Sequence, residues 1–260
     1  MNDLRLLHLC DSLFPLGGFA YSDGLEAAAT VRLPAFAPGG SAWPRRSSDA
    51  IVPSGGGTPD TAGTSVADVV GVRGWIDVCL DETIGRMEGP GVWQAWPAFL
   101  DREWDALATL DEELTALRPS ASARRSSRAM GFRLLTTWHA LHPDARLDEA
   151  ISLARGGRFG PVLCIAFAGA CACSGIGQRR AVEAFAYTRL ASTVSAAMRL
   201  MPIGQADAHA LLARAVDRIP AAVDALVARH AAGAHPESFS PAMDLAAMTQ
   251  QYLHSRLFRS

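Results

Sequence analysis

The thirteen-residue run from Pro161 to Cys173 is apolar on every side. Such a run is too short to span a bilayer, which needs about 20 apolar residues. A helix without a polar face is stable in water only when other helices surround it, and the small residues of this run let those neighbours pack closely. The sequence therefore predicts a helix that is buried at the centre of a bundle.

Most of the remaining chain has the apolar period of three to four residues that is typical of amphipathic helices. No segment alternates with a period of two for long enough to predict a sheet. We therefore predict an all-α fold, a single-domain bundle of roughly eight to ten helices around the 161–173 helix. Three prolines are expected at helix boundaries: Pro90 in a break at Gly89-Pro90-Gly91, Pro97 in a first turn, and Pro220 at the start of a short helix.

Residues 34–65 differ from the rest of the chain because half of them are Gly, Pro or Ser. Such a segment cannot bury enough apolar surface to offset the conformational entropy that is lost on ordering. The helices on either side are too few to fold alone. We therefore predict a flexible insertion within a single domain that spans residues 1–260.

The charged residues and cysteines exclude several functions. All 24 basic residues are arginine, and the absence of lysine excludes a lysine Schiff base and a Walker-type phosphate loop. A net charge of −2 gives no general attraction to nucleic acid or to an anionic membrane, so neither is expected as a partner. The five cysteines are odd in number and no secretory signal is recognisable at the N-terminus. We therefore expect reduced thiols and a cytoplasmic protein.

No catalytic or metal-binding motif is present in the sequence. It contains no His-Glu-x-x-His, no Gly-x-Ser-x-Gly and no phosphate-binding glycine loop. His139 and His142 lie three residues apart on one predicted helix, but no third metal ligand accompanies them, and Cys171 and Cys173 supply only two soft ligands. We therefore predict no catalytic residue, no metal site, no cofactor and no small-molecule substrate. A helical enzyme whose site is assembled from distant residues is the alternative.

The segment from Phe14 to Glu26, here called the first corner, contains three glycines and a proline. Pro15 disfavours helical backbone at Phe14, so a first helix over 3–14 is expected to end there. Ser22 is expected to cap a short second helix that runs to about residue 31, with acidic residues in its first turn.

The middle of the first corner permits two interpretations. Gly17 and Gly18 can adopt positive φ, which gives a sharp reversal and lets another backbone come close. Phe19 and Tyr21 cannot both point into one small core in so tight a turn. The corner is therefore either a well-made helix–turn–helix connection or a connection whose aromatic residues are exposed to a partner.

Three motifs follow one another along the chain. They are the N-terminal segment Leu13-Phe14-Pro15-Leu16-Gly17-Gly18-Phe19-Ala20-Tyr21-Ser22-Asp23-Gly24-Leu25-Glu26, which contains the first corner, the segment Ser195-Ala196-Ala197-Met198-Arg199-Leu200-Met201-Pro202-Ile203-Gly204-Gln205-Ala206-Asp207, and the closing Ser255-Arg256-Leu257-Phe258-Arg259-Ser260. Arg118-Pro119 and Met130-Gly131 lie between the first two motifs. Together these segments resemble the signatures of the UreF family of urease accessory proteins. The resemblance covers nearly the whole chain except residues 34–65, and the order and spacing of the motifs make it specific.

The resemblance implies an all-α, homodimeric, non-enzymatic scaffold in the maturation of nickel urease. Proteins of this family bridge the accessory protein UreD, also called UreH, and the GTP-hydrolysing nickel chaperone UreG. The assembly docks on apo-urease and couples GTP turnover to nickel delivery. The resemblance thus implies protein partners and no cofactor.

The same motifs supply the residues that we expect to contact partners. The corner is expected to face the GTPase together with Arg256, and the C-terminal helix and tail are expected to face the other accessory protein. The candidates are Gly17, Gly18, Phe19, Tyr21, Gln205, Asp207, Tyr252, Arg256, Leu257, Phe258 and Arg259.

Two positions depart from the family pattern. Gln250-Gln251 stand where family members often have His-Glu, which weakens any role of this site in handling nickel. Ala208-His209 stand where Gly-Gln is common. A protein with the UreF fold that serves a different partner therefore stays open as a second alternative.

Overall fold

The computed structural model describes residues 2–15, 21–31 and 66–258, and every regular element within these ranges is helical. This confirms the predicted all-α fold. The helices are α1 Asn2–Cys10, α2 Leu25–Val31, α3 Val66–Val78, a π-helical segment Cys79–Glu88, α4 Gly89–Asp101, α5 Trp104–Ala116, α6 Ala121–Leu141, α7 Ala145–Arg155, α8 Leu163–Cys173, α9 Gln178–Leu200, α10 Gln205–Ala231, α11 Pro241–Thr249 and a 3₁₀ turn Gln250–Tyr252.

Helix α8 occupies the centre of the bundle, as its sequence predicts. Every residue from Leu163 to Ala172 is buried, and α4, α6 and α9 pack around it. The packing is close because small residues face large ones: a Cβ at Gly169 would lie 2.5 Å from the Phe99 ring. Helix α8 therefore fixes where its three neighbours lie.

The predicted break at Gly89-Pro90-Gly91 is wrong. The chain is helical without interruption from Val66 to Asp101, and its middle part is π-helical. The Gly89 N–H donates to the Ile84 carbonyl, five residues back, so the wide π turn extends to Gly89, the residue before Pro90. Pro90 then lies in the first turn of α4, where a missing N–H is tolerated.

The glycines on either side of Pro90 are explained by packing. A Cβ at Gly89 would lie 2.6 Å from the Leu226 side chain, and a Cβ at Gly91 would lie 2.7 Å from the Leu114 side chain. The sequence Gly89-Pro90-Gly91, which predicts a helix break, therefore reflects close contact between helices here.

The placements predicted for two other prolines are also wrong. Pro97 lies in the interior of α4 rather than in a first turn, and that helix ends at Arg102, whose φ of 57° is left-handed. Pro220 lies in the interior of α10 and starts no new helix. In both cases the packing of the long helix outweighs the local cost of one lost hydrogen bond.

Two further predictions concern the N-terminal third of the chain. The first helix ends at Cys10, four residues earlier than predicted; Phe14 is buried in the turn that follows, and Leu13 is exposed. The predicted insertion at 34–65 lies outside the described residues. No helix of the described part is long and apolar enough to cross a membrane.

Gly131 provides a test of the close packing between α6 and the segment that enters α8. A Cβ at Gly131 would lie 2.0 Å from the Pro161 carbonyl oxygen and 2.9 Å from the Val162 carbonyl carbon. Backbone atoms cannot move aside as a side chain can, so we expect Gly131→Ala to lower the free energy of unfolding by about 2 kcal/mol or more. Urea unfolding followed by circular dichroism measures this change in the free energy of unfolding.

Gly156→Ala is the matched control, because a Cβ there makes only ordinary contacts at 3.5 Å. Equal unfolding midpoints for the two variants would contradict the packing seen at Gly131.

Candidate partner-binding surface

The first corner lies against α11 through Gly24. Gly24 has a φ of 91°, and a Cβ at this position would lie 2.6 Å from the Ala247 backbone nitrogen. Asp23, just before it, also has positive φ, at 48°. The close backbone approach is predicted at Gly17 and Gly18, which lie outside the described residues. Among the described residues Gly24 has this role.

A buried set of hydrogen bonds, here called the corner–tail clip, joins the corner to the C-terminal end of the chain. Gln250 is fully buried. Its Oε1 accepts from the Ser22 hydroxyl at 3.1 Å and from the Gly24 N–H at 3.0 Å. Its Nε2 donates to Glu26 Oε2 at 3.0 Å. One amide side chain near the C-terminal end thus joins three residues of the corner, Ser22, Gly24 and Glu26.

Glu26 carries the clip on to the tail, residues 253–258. Its carboxylate is buried and accepts the backbone N–H of Leu257 on Oε1 and that of Phe258 on Oε2, the latter at 3.2 Å. The Glu26 N–H also contacts the Ser22 hydroxyl oxygen at 3.4 Å, which agrees with the predicted cap. The corner and the tail, which lie at opposite ends of the sequence, are therefore one hydrogen-bonded unit.

The tail side chains divide into one internal residue and several exposed ones. Phe258 is buried, with the Arg199 guanidinium 4.4 Å from the centre of its ring. Phe258 is predicted as a partner contact, but its side chain is not accessible in this structure. Arg256, Leu257 and Tyr252 are exposed.

Helix α11 turns an apolar face to solvent. Leu245, Met248 and Tyr252 are exposed to 52, 42 and 80%, and their spacing of three and then four residues places them on one side of the helical segment. The opposite side is buried through Met243, Ala246 and Gln250. We call Leu245, Met248 and Tyr252 the α11 stripe. Exposed apolar residues at such spacing are typical of a surface that binds another protein.

Beneath α11 lies a chain of four charges, the ion-pair quartet: Glu88 is buried, Arg118 and Arg189 are nearly buried, and Asp23 is partly exposed. Arg189 contacts Asp23 at 2.7 Å and Glu88 at 2.9 Å, and Glu88 contacts Arg118 at 2.5 Å. Burial alone would raise the pKa of the Asp23 carboxyl, but the Arg189 guanidinium outweighs this and holds that pKa below its usual range. Both carboxylates therefore have a cationic partner at neutral pH.

The cavities near these residues are small. One of about 60 Å³ separates α11 from the quartet, and one of about 150 Å³ lies between the end of α1 and α9. Pockets that enclose a small-molecule ligand usually measure about 300–1,000 Å³. The cavities of this region are of the size that holds a few water molecules.

His139 and His142, the two histidines that lie three residues apart in the sequence, are engaged in ring-packing and hydrogen-bond contacts. His142 lies 4.4 Å from the Trp138 ring, centre to centre, and burial, with the charge of Arg5 and the neighbouring His8, lowers its pKa. His139 Nδ1 accepts the Asp144 N–H at 3.4 Å. Within residues 2–15, 21–31 and 66–258, no group of three or more His, Cys, Asp or Glu side chains is arranged to hold a metal ion.

The remaining predicted contact residues fall in several places. Tyr21 is half-buried at the end of the corner, and Gln205 and Asp207 are exposed in the first turn of α10. Neither Gln205 nor Asp207 takes part in the hydrogen bonds of the corner–tail clip. Gly17, Gly18, Phe19 and Arg259 lie outside the described residues.

Sequence reasoning missed the roles of Glu26, Gln250 and Gly24. Glu26 has the sequence signal of a helix N-terminus, and Gln250 is recognisable only as a departure from the family pattern. The α11 stripe has a clear apolar period, but a period alone does not say whether the apolar face meets the core or the solvent.

The described residues thus form an all-helical protein with small internal cavities and an outward apolar helix face near its C-terminal end. The UreF family model matches residues 66–216 of this chain. Since the match covers more than half of the chain, the chain belongs to the UreF family of urease accessory proteins, which confirms the resemblance seen in its motifs.

Individual relatives match nearly end to end. The chain is 29% identical to the urease accessory protein UreF of Methylibium petroleiphilum over 260 residues, which cover 99% of this chain and 93% of the relative. It is 28% identical to UreF of Azoarcus sp. over 264 residues (99% and 95%). It is 25% identical to UreF of Polaromonas sp. over 257 residues (99% and 94%).

Gly24 provides a test of the contact between the corner and α11. Alanine at this position combines a left-handed backbone with a clash against the Ala247 backbone. We expect Gly24→Ala to lower the free energy of unfolding by about 2–4 kcal/mol, measured by urea unfolding. Gly157→Ala is the control, because Gly157 has a φ of 75° but nothing within 4 Å of its Cβ position. If both variants lose equal stability, backbone strain alone accounts for the effect and the contact is refuted.

Proposed function

We propose that this chain is a non-enzymatic, homodimeric scaffold of nickel urease maturation. It bridges the accessory protein UreD/UreH and the GTPase UreG in the cytoplasm, and the assembly docks on apo-urease. The observation that carries this proposal is the α11 stripe: a short helix whose inner face is tied to the corner and whose outer face presents apolar side chains to solvent.

The α11 stripe fits the contact with UreD/UreH. Leu245 and Met248 supply aliphatic area, and Tyr252 supplies an aromatic ring with a polar tip, the kind of side chain that often dominates binding energy. Leu257 of the tail extends the exposed surface. The corner, with Tyr21 and Phe19, forms together with Arg256 the surface that we assign to UreG.

The chemistry of the interior supports a scaffold rather than an enzyme. The carboxylates of the quartet are neutralised by arginines, and the Asp111 carboxylate accepts the backbone N–H groups of Gly160 and Val162. These groups serve packing and helix capping. A catalytic site instead needs groups that converge on a cavity of substrate size.

The α11 stripe is tested by Leu245→Asp. Charge in the centre of an apolar contact must be desolvated without a partner, so we expect capture of co-expressed UreD/UreH to weaken at least about 30-fold, as for a binding hot spot. Leu141→Asp is the matched control: Leu141 is exposed to 51% and Leu245 to 52%, but Leu141 lies at the end of α6. Unchanged capture by a folded Leu245→Asp variant would contradict the assignment.

The UreG assignment is tested separately by Arg256→Ala. The side chain is exposed, so the isolated variant should keep its unfolding midpoint while the complex with UreG is lost. An unaltered complex would mean that Arg256 does not contribute to the UreG-binding surface.

Deletion of the gene, with the nickel content of urease as readout, tests the function as a whole. Fully nickel-loaded urease in the deletion strain would point to a different partner.

A further inference from the structure

We propose that Glu26 is a positioning residue: through the corner–tail clip it holds the tail in the form that partners bind, and it couples the tail to the first corner. This inference rests on the proposed function, since it concerns the two surfaces assigned there. Glu26 itself is buried, so its side chain is not part of the accessible surface.

The tail depends on few contacts. His254, Ser255, Arg256 and Leu257 are exposed. Where the tail begins, Leu253 is partly buried and its N–H donates to the Gln250 carbonyl at 3.2 Å. Beyond Leu253, the tail is held by the two backbone N–H groups that Glu26 accepts and by the buried Phe258 ring with its Arg199 contact. Without the Glu26 carboxylate, the Phe258 contacts would have to offset the entropy of ordering residues 254–258.

The geometry requires a carboxylate at position 26. Its two oxygens face three N–H donors: Leu257 N, Phe258 N and Gln250 Nε2. A glutamine has only one acceptor oxygen, and its NH₂ group would face at least one of these donors. A buried donor without an acceptor is costly, so Glu26→Gln releases the tail although it preserves the shape of the side chain.

Gln250 links this carboxylate to Ser22 and Gly24, earlier in the corner. Its amide orientation is set because the Ser22 hydroxyl and the Gly24 N–H both donate to Oε1, which turns Nε2 towards Glu26. The tail is thus held only when the corner has its described conformation. By linkage, a partner that orders the tail also favours that conformation of the corner. A partner that favours that conformation of the corner orders the tail by the same free energy.

The direct test is hydrogen exchange in the full chain. We expect Glu26→Gln to accelerate exchange in a C-terminal peptide that contains Leu257 and Phe258 by about tenfold or more, the effect of losing a hydrogen bond to a charged group. Asp111→Asn is the matched control, because Asp111 is another buried carboxylate that accepts two backbone N–H groups, at the entry to α8. It should leave exchange in this peptide unchanged.

Unchanged exchange in Glu26→Gln, or equal acceleration by Asp111→Asn, would overturn the proposal. If Glu26→Gln does not fold, Gln250→Met replaces it. This variant removes the Nε2 donor from Glu26 Oε2 but keeps both tail bonds, so we expect a smaller acceleration of exchange in the C-terminal peptide. No acceleration at all would overturn the link between the tail and the corner.

The second arm measures binding with purified UreD/UreH. We expect Glu26→Gln to weaken binding by about tenfold, and saturating UreD/UreH to restore slow exchange of the tail. Full affinity in a variant with a released tail would refute the positioning role. The two failures can be told apart. The proposed function fails if the Leu245→Asp variant captures UreD/UreH as well as the unmodified chain, whether or not the tail exchanges slowly.

Discussion

The complete burial of α8 is the constraint on which the bundle depends. Because every side of this helix is apolar, α4, α6 and α9 must surround it, and the N–H groups at its entry must find acceptors away from water. Asp111 accepts from Gly160 and Val162, and the Ser127 hydroxyl oxygen accepts from Leu163. Burial raises the pKa of Asp111 although these N–H groups and Arg128 oppose the rise. Polar side chains of α5 and α6 therefore make a buried helix start possible.

The sequence predicted the fold well where a pattern has one physical meaning. An all-apolar run of eleven or more residues has no stable place in water except the middle of a bundle, so α8 was predictable. Proline and glycine have more than one meaning. At Pro90 the π turn and the contacts of Gly89 and Gly91 convert an apparent break into a continuous helix, and such tertiary contacts are absent from local sequence.

The candidate surface was predictable only in part. The motifs named the corner and the tail, but not the bonds between them, because a contact between residues 26 and 257 has no local signature. The α11 stripe shows the limit of periodicity. Met243, Ala246 and Gln250 face inward, and the more apolar set Leu245, Met248 and Tyr252 faces outward. Ser120 donates to the Ala247 carbonyl, and with Gln250 it holds the less apolar face against the body of the protein.

The ion-pair quartet has a consequence for how sequences of this type can diverge. Its two guanidinium groups and two carboxylates sum to zero charge in a region that is largely shielded from water, with Asp23 at its partly exposed edge. Loss of one member leaves an uncompensated charge in a medium that solvates it poorly, whereas loss of an opposite pair leaves the region neutral. Substitutions at Asp23, Glu88, Arg118 and Arg189 should therefore occur in oppositely charged pairs. An orthologue that lacks one of the two arginines should also lack one of the two acidic residues.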